Sequence, residues 1–495
     1  MQLTSSEALT RAIASFQAGH LDQAEALCRA ILRADASHLI ALHLLATVQS
    51  QLGRLQDALA SYDKVLAIKP DYPEALNNRG TVLEDLSRFE EALASYDKAL
   101  AIKRDYVEAL NNRGIALHDL NRFEEALASY DKALAIKRDY VEVLFNRGNA
   151  LLELKRTEEA LASYDKALAI KPDYADGLFN RALSKLLIGR YREGWADYEG
   201  RWETKDFTSR RPQINAPAWH DQDLAGRHLL VYTEQGLGDV IQFARYLPLL
   251  VERSARVTFL TASKLARLLR PLTAQIDVVS ELGMTDAFDF QCALMSLPRW
   301  FNTDLSSIPN KVPYLTAEQN LSASWKERLD EGGFKIGIAW KGNPQRKYRD
   351  RWIPLEEFIP LTRVPSVRLI SLQKHHGLDQ LARLPADVKI ETLADFDSGP
   401  DAFIDTAAVM SNLDLIITAD TSIAHLAGAL GHRTWVALNY VPDWRWMLDR
   451  ADSPWYPTIR LFRQQDRDDW KPVFRMIENE LISLLGHPGR IFGQG

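Results

Sequence analysis

The chain has 495 residues, of which 46% are hydrophobic and 25% charged, with a formal net charge of -6. This length exceeds what one core accommodates, so two or three domains are expected, and the composition is that of an ordinary globular protein. Without a basic excess the chain is not expected to bind nucleic acid, and two cysteines, Cys28 and Cys292, suffice neither for a disulfide framework nor for a cysteine-rich zinc site. The opening residues lack a basic segment followed by an apolar one, and no run of about 18 uncharged apolar residues occurs. A cytoplasmic protein without a membrane span is the expectation.

Close copies of SRFEEALASYDKALAIK end at Lys69, Lys103, Lys137 and Lys171, 34 residues apart. Gly80, Gly114 and Gly148 recur where two helices must approach closely, and Tyr96, Tyr130 and Tyr164 recur among alanines at helical spacing. The pattern resembles tetratricopeptide repeats, helix pairs that stack into an all-α superhelix. The resemblance covers residues 1–205 and implies about six repeats, with degenerate units at both ends as capping requires. Asn78, Asn112, Asn146 and Asn180 hold one position on successive first helices, which face the concave side in that family. An amide donates and accepts, so this ladder is a candidate groove for the backbone of a protein or peptide acceptor. O-GlcNAc transferase, whose layout this chain resembles, uses an asparagine ladder in that way. Recent duplication of consensus repeats would leave the same residues without that role.

Residues 206–222 carry prolines and no helical period, which marks a junction. The Trp- and Tyr-rich segment before it is expected to pack against the second half of the chain. Thereafter strands and helices alternate. HLLVY is followed by the loop TEQGLGD and a helix from about Asp239 to Val251, then by RVTFL, the helix SKLARLLRPL, DVVSE and a stretch around FDFQCALMSLP. These form a first α/β lobe, 223–318. A linking helix, SASWKERL, opens a second lobe, 319–495, with KIGIAW, the helix LEEFIPL, VRLISL, VKIETL and the helix FIDTAAVMSNL. A buried strand from Leu415 to Thr418 then runs into a helix that begins near Ser422 and stops at Gly431, followed by the strand Thr434 to Leu438 and a long amphipathic C-terminal helix expected to pack back across both lobes. In open parallel sheets ligands bind beyond the carboxyl ends of strands, and the loop after Tyr232, the residues after Trp340, and Asp420 all lie at such ends.

EQGLGDVIQFARYLPLL and TADTSIAHLAGALG together resemble the paired signatures of the ADP-heptose (lipopolysaccharide) heptosyltransferase family. The resemblance implies a two-lobed GT-B glycosyltransferase fold, a general base at Asp239, and a donor sugar and diphosphate site at Asp420, Thr421 and His425. The family's basic residue before a W-P element is approximated by Arg351, although one extra residue separates Trp352 from Pro354 here. Lys341, Arg346, Lys347 and Arg351, with the helix start at Thr421 and Ser422, supply positive charge and N–H groups suited to a diphosphate. Gln235 and Gly238 in the first lobe join the candidate donor-binding set, and Gln373 and Lys374 are candidates for the base or ribose.

The expected activity is an inverting, metal-independent transfer of sugar from a nucleotide-diphosphate-sugar to a protein or peptide acceptor, with no cofactor beyond the donor. The alternatives are a repeat scaffold whose second half is inactive or senses a nucleotide sugar, and a nucleotide-sugar epimerase, which the peptide groove disfavours. Gly236 and Gly238 lack the third glycine of a dinucleotide fingerprint, so NAD is not expected. Asp395 and Asp397 resemble a metal-binding acidic pair, and His375 and His376 lack a third ligand and read as a surface pair.

Overall fold

The computed structural model describes residues 4–272, 274–283, 286–342 and 351–486. They fall into two compact units, Met1–Arg181 and Ala182–Gly495. Among the described residues no helix is long and apolar enough to cross a membrane.

The first unit is a succession of helix pairs, among them Pro73–Asp85 with Phe89–Ile102, Val107–Asp119 with Phe123–Ile136, and Val141–Glu153 with Thr157–Ile170. Each first helix is terminated by a residue in the left-handed region: Gly19, Gly53, Ser87, Asn121, Lys155 and Gly189 recur at the repeat period. The N–H of the next residue reaches back five positions in every case, from His20 to Ser15, Arg54 to Gln49, Arg88 to Leu83, Arg122 to Leu117, Arg156 to Leu151 and Arg190 to Lys185. This closure satisfies a carbonyl that the helix leaves free. Its recurrence from Gly19 to Gly189 shows that the degenerate end repeats keep the register. The glycines inside the first helices have the packing role expected of them. A Cβ at Gly80, Gly114 or Gly148 would lie 2.4 Å from the Cε1 of Tyr96, Tyr130 or Tyr164.

The second unit holds two sheets in which every strand pairing is parallel. The smaller contains β1 (His228–Tyr232), β2 (Arg256–Leu260), β3 (Ile276–Val279) and β4 (Phe290–Ala293) in the order β3-β2-β1-β4. The larger contains β5 (Phe334–Ala339), β6 (Val367–Ser371), β7 (Ile390–Glu391), β8 (Leu415–Ala419), β9 (Thr434–Leu438) and β10 (Ile459–Arg463) in the order β10-β9-β8-β5-β6-β7. Strand order reverses beside β1 in one sheet and between β8 and β5 in the other, and such reversals open ligand-binding crevices at carboxyl ends. β8 and β9 are buried throughout, as their uninterrupted apolar runs require.

The structure departs from the sequence expectations at five places. The division falls at Arg181, not after residue 205, because Tyr191, Trp195 and Tyr198 of the last repeat helix (Tyr191–Tyr198) pack into the α/β unit. Tyr191 lies 5.9 Å from Trp455, and Trp195 lies 5.2 Å from Trp444 and 5.9 Å from Phe243 between ring centroids. Arg201, fully buried, bonds Glu234 and Ser296 at 2.9 and 2.8 Å. The helix expected over Asp239 to Val251 is broken into Leu237–Phe243, a 3-10 turn at Ala244–Tyr246, and Leu247–Glu252, whose first turn carries Pro248 and so needs no N–H there. LEEFIPL is mostly a 3-10 turn, Leu355–Phe358, ahead of a single helical turn, Ile359–Thr362. The edge strand β10 has no counterpart in the expectations. The C-terminal helix, Lys471–Gly486, sets Val473, Phe474, Ile477 and Leu481 into the core of the larger sheet rather than across both lobes.

Candidate functional site

β1 delivers the chain to Gln235, whose φ of 65° is uncommon for a side chain with a Cβ. The turn is held by Gln235 N–H donating to Ser209 Oγ at 3.0 Å and by its side-chain amide donating to Tyr198 Oη at 2.9 Å. The helix Leu237–Phe243 then starts, and Asp239 closes it by accepting the Gly236 N–H on Oδ2 at 2.8 Å. Gly238 lies against the helix Ser422–Ala429 from the other sheet. A Cβ there would lie 3.0 Å from His425 Cδ2 and 3.4 Å from Ser422 Cα. The glycine thus admits a close approach between two helix starts, which loop spacing alone does not disclose.

The expected helix after β8 forms as anticipated. Thr421 is its cap, accepting the Ile423 N–H at 3.3 Å, and Gly431 follows its end at φ 69°. His425 is buried, stacked on Trp446 at 5.5 Å, with Nδ1 3.1 Å from the Tyr456 hydroxyl. Burial, reinforced by Arg445, holds His425 well below the usual imidazole range, so it is a neutral group.

At the carboxyl ends of β1, β5, β8 and β9 three carboxylates and two guanidinium groups alternate in one chain. Asp239 Oδ1 accepts from Arg445 Nη2. Arg445 also donates to Gln242 Oε1 at 2.6 Å and to Asp443 Oδ1 at 2.9 Å. The other Asp443 oxygen accepts from Arg351 Nη2 at 3.1 Å, and Arg351 Nη1 stands 3.0 Å from Asp420 Oδ2. Burial acts to raise Asp443, but Arg445 and Arg351 on either side hold it well below the carboxylate range. Asp420 is more deeply buried and has one arginine beside it. Burial prevails there and raises its pKa, with Arg351 opposing. The set holds one more negative than positive charge, is largely withdrawn from water, and draws members from both sheets.

The remaining candidates separate. Lys341 lies with Nζ 4.2 Å over the Trp352 ring, next in sequence to Arg351. Gln373 is fully engaged elsewhere: Oε1 accepts from the N–H of Trp340 and Lys341, and Nε2 donates to the carbonyls of Lys341 and His376. All four of its bonding positions clamp the ends of β5 and β6, so it has no free group for a base or ribose. Lys374 donates to the Phe396 carbonyl. Arg346 and Lys347 lie outside the described residues. Asp397 is a capping group, accepting the N–H of Asp405 at 2.8 Å and of Thr406 at 3.3 Å, which accounts for an acidic residue there without a metal. His375 and His376 are exposed. Asp443 and Arg445 were missed by sequence reading. The available signal was polar residues in VPDWRW immediately after a fully buried parallel strand.

In the repeats the asparagines bond one another. Asn146 donates to Asn111 at 3.0 Å, Asn111 to Asn112 at 3.3 Å, Asn112 to Asn77 at 3.1 Å, and Asn77 to Asn78 at 3.2 Å. Asn180 donates to Asn149 at 2.8 Å. Asn78, Asn112, Asn146 and Asn180 are half-buried, and each bonds a side chain of a neighbouring repeat. Sequence reading also missed a second ladder, in which Arg79, Arg113, Arg147 and Arg181 pair with Asp63, Asp97, Asp131 and Asp165.

Residues 71–139 and 141–174 match the tetratricopeptide repeat family, and residues 50–87 match the TPR repeat family. The first unit therefore is a tetratricopeptide array. A curated relative, Protein FlbA of Caulobacter vibrioides, is 26% identical over 312 residues, 57% of this chain. The chain spans about half of that relative, 51% of its length. Similar solved structures include a tetratricopeptide repeat protein from Parabacteroides merdae (23% identity, TM-score 0.37, covering 40% of this chain and 79% of that one). YrrB, described as a TPR protein with an unusual peptide-binding site, is 22% identical with a TM-score of 0.33, over 36% of this chain and 93% of its own. MamA is 21% identical with a TM-score of 0.32, over 33% of this chain and 96% of its own.

Proposed function

We propose that the α/β unit is a GT-B glycosyltransferase, resembling the heptosyltransferases, that transfers a sugar from a nucleotide-diphosphate-sugar to a protein or peptide presented by the repeats. The observation that carries the reading is the convergence of Asp239, Arg445, Asp443, Arg351 and Asp420 at the carboxyl ends of strands from both sheets. Asp239 is the base. Its oxygens each accept one hydrogen bond and keep a lone pair for the acceptor hydroxyl. That hydroxyl gives its proton to Asp239 while its oxygen bonds the anomeric carbon, and the bond from that carbon to the diphosphate breaks with its electron pair leaving on phosphate. Direct displacement by one base inverts the anomeric centre. Arg351, Lys341 and the N–H groups at Thr421 and Ser422 receive the leaving charge, with no metal ion needed.

The second reading is a repeat scaffold with an inactive or donor-sensing α/β unit. It is favoured by the pairing of both arginines with carboxylates, which leaves less free positive charge than a diphosphate would meet in an open site. One experiment separates the readings. The full chain is melted with a panel of nucleoside diphosphates and nucleotide sugars, and any donor that raises Tm is offered with cytoplasmic protein acceptors under mass spectrometry. Transfer supports the enzyme, stabilisation without transfer or hydrolysis supports the sensor, and no stabilisation by any donor removes both donor-based readings. The groove is tested by Asn78→Ala, Asn112→Ala, Asn146→Ala and Asn180→Ala together. A raised acceptor KM with unchanged donor hydrolysis is expected, at about 0.5–1.5 kcal/mol per lost amide.

A further inference from the structure

Arg445 has a specific place in this arrangement. Its guanidinium is buried and forks three ways, to Asp239 in the first helix after β1, to Gln242 one turn along that helix, and to Asp443 after β9. It thereby joins the carboxylate assigned as base to the loop whose other carboxylate oxygen holds Arg351. The planar fork suits this better than an ammonium, because its donors meet acceptors in fixed directions.

We infer that Arg445 is a positioning residue for the transfer proposed above, fixing the free lone pair of Asp239 toward the acceptor. The inference rests on the glycosyltransferase reading. The geometry has two consequences. First, Oδ1 of Asp239 is tied by Arg445 and Oδ2 by the Gly236 N–H, so the carboxylate plane is set by two elements, and loss of either lets it rotate. Second, the guanidinium that bonds Asp239 also bonds Asp443 and Gln242, so one side chain ties the base to the loop after β9 and to its own helix. Removing it leaves the Gly236 N–H as the remaining tie on the carboxylate.

The test uses the full chain with whichever donor the panel identifies, comparing the parent, Arg445→Gln and Arg445→Lys. In Arg445→Gln kcat per active molecule is expected to fall about ten-fold or more with donor KM changed little, because the base is no longer held in place. Arg445→Lys should recover little of that kcat, since an ammonium lacks the fork that reaches Asp239, Gln242 and Asp443 together. A merely structural arginine would lower Tm and active fraction without changing kcat per active molecule. An active Arg445→Gln protein whose kcat and donor KM match the parent's overturns the positioning role and leaves the glycosyltransferase reading standing. A parent that neither transfers nor hydrolyses any donor overturns the glycosyltransferase reading itself and the positioning role with it.

Discussion

The two units use the same pairing of arginine with carboxylate to opposite ends. In the repeats the pairs are periodic and wet: Arg113 reaches Asp97 at 2.6 Å, with half of the aspartate exposed, and the arrangement recurs at Arg79, Arg147 and Arg181. In the α/β unit the pairs at Arg201 and in the crevice are unique and largely dry: the side chains of Arg201 and Glu234 are both 0% exposed, and Asp420 is 4% exposed. A wet pair offers a modest Coulomb gain that solvent screens, so a row of them registers one repeat on the next without deciding stability. A dry pair makes each partner dependent on the other, because the survivor of a broken pair is an uncompensated buried charge. Charge is therefore replaceable in the array and irreplaceable around Arg201 and in the crevice.

The largest test of this contrast is Arg201→Ala. It strands Glu234 and removes the bond to Ser296, and should destabilise the α/β unit by about 3–5 kcal/mol, seen as faster hydrogen exchange in β1 and β4 and unchanged exchange between Pro73 and Ile136. Burial already lifts Glu234 to about 7 against the pull of Arg201, so the loss should be greater at pH 8 than at pH 5, where the carboxyl can protonate. Equal losses at both values would show that Glu234 stays ionised throughout.

Gly114→Ala tests the array through packing instead of charge. Its Cβ would sit 2.4 Å from Tyr130, and a destabilisation of about 1–3 kcal/mol is expected. Tyr130→Leu in the same chain should recover part of it, and no recovery would place the damage in the helix backbone.

The pH responses of His425 in the α/β unit and Glu84 in the array should also differ in sign. His425 is neutral when folded and free to protonate when unfolded, so below about 6.5 its contribution falls as pH falls, by about 1.4 kcal/mol per pH unit. Thermal melts of the parent and His425→Asn from pH 7 to 5 should converge, since the amide can still accept from Tyr456. In the array, burial raises Glu84 to about 7, so its contribution falls as pH rises from about 4.5 through 7. Glu84→Gln should be of greatest benefit at pH 8. Parallel pH curves for either variant and the parent would remove that group from the account.

The smallest effect belongs to the wet ladder. A double-mutant cycle on Arg113→Ala and Asp97→Ala should return a coupling of about 0.2–1 kcal/mol that fades in high salt. A coupling above about 2 kcal/mol would erase the contrast between the units.

The array was legible because its information is local. A period of 34 residues, a glycine opposite a tyrosine in three successive repeats, and a chain terminator for each first helix all lie close in sequence to what they control. The strands β1, β5, β8 and β9 and the capped helix after β8 were legible for the same reason, since burial of a parallel strand shows as an apolar run and a cap is an adjacent residue. Other features depended on contacts between distant segments. The last repeat helix belongs to the α/β unit because its aromatic rings meet Phe243, Trp444 and Trp455. Gln373 reads as a polar residue at a strand end, and only its four backbone partners make it a clamp. Asp239 and Asp420 stood out in sequence, but Arg445, 206 residues from Asp239, has no local pattern that links it to either. Sequence determined most of the elements, because hydrogen bonding and side-chain periodicity act between near neighbours. Tertiary structure decided which charges face one another, because burying a charge is tolerable only where folding brings its partner to it.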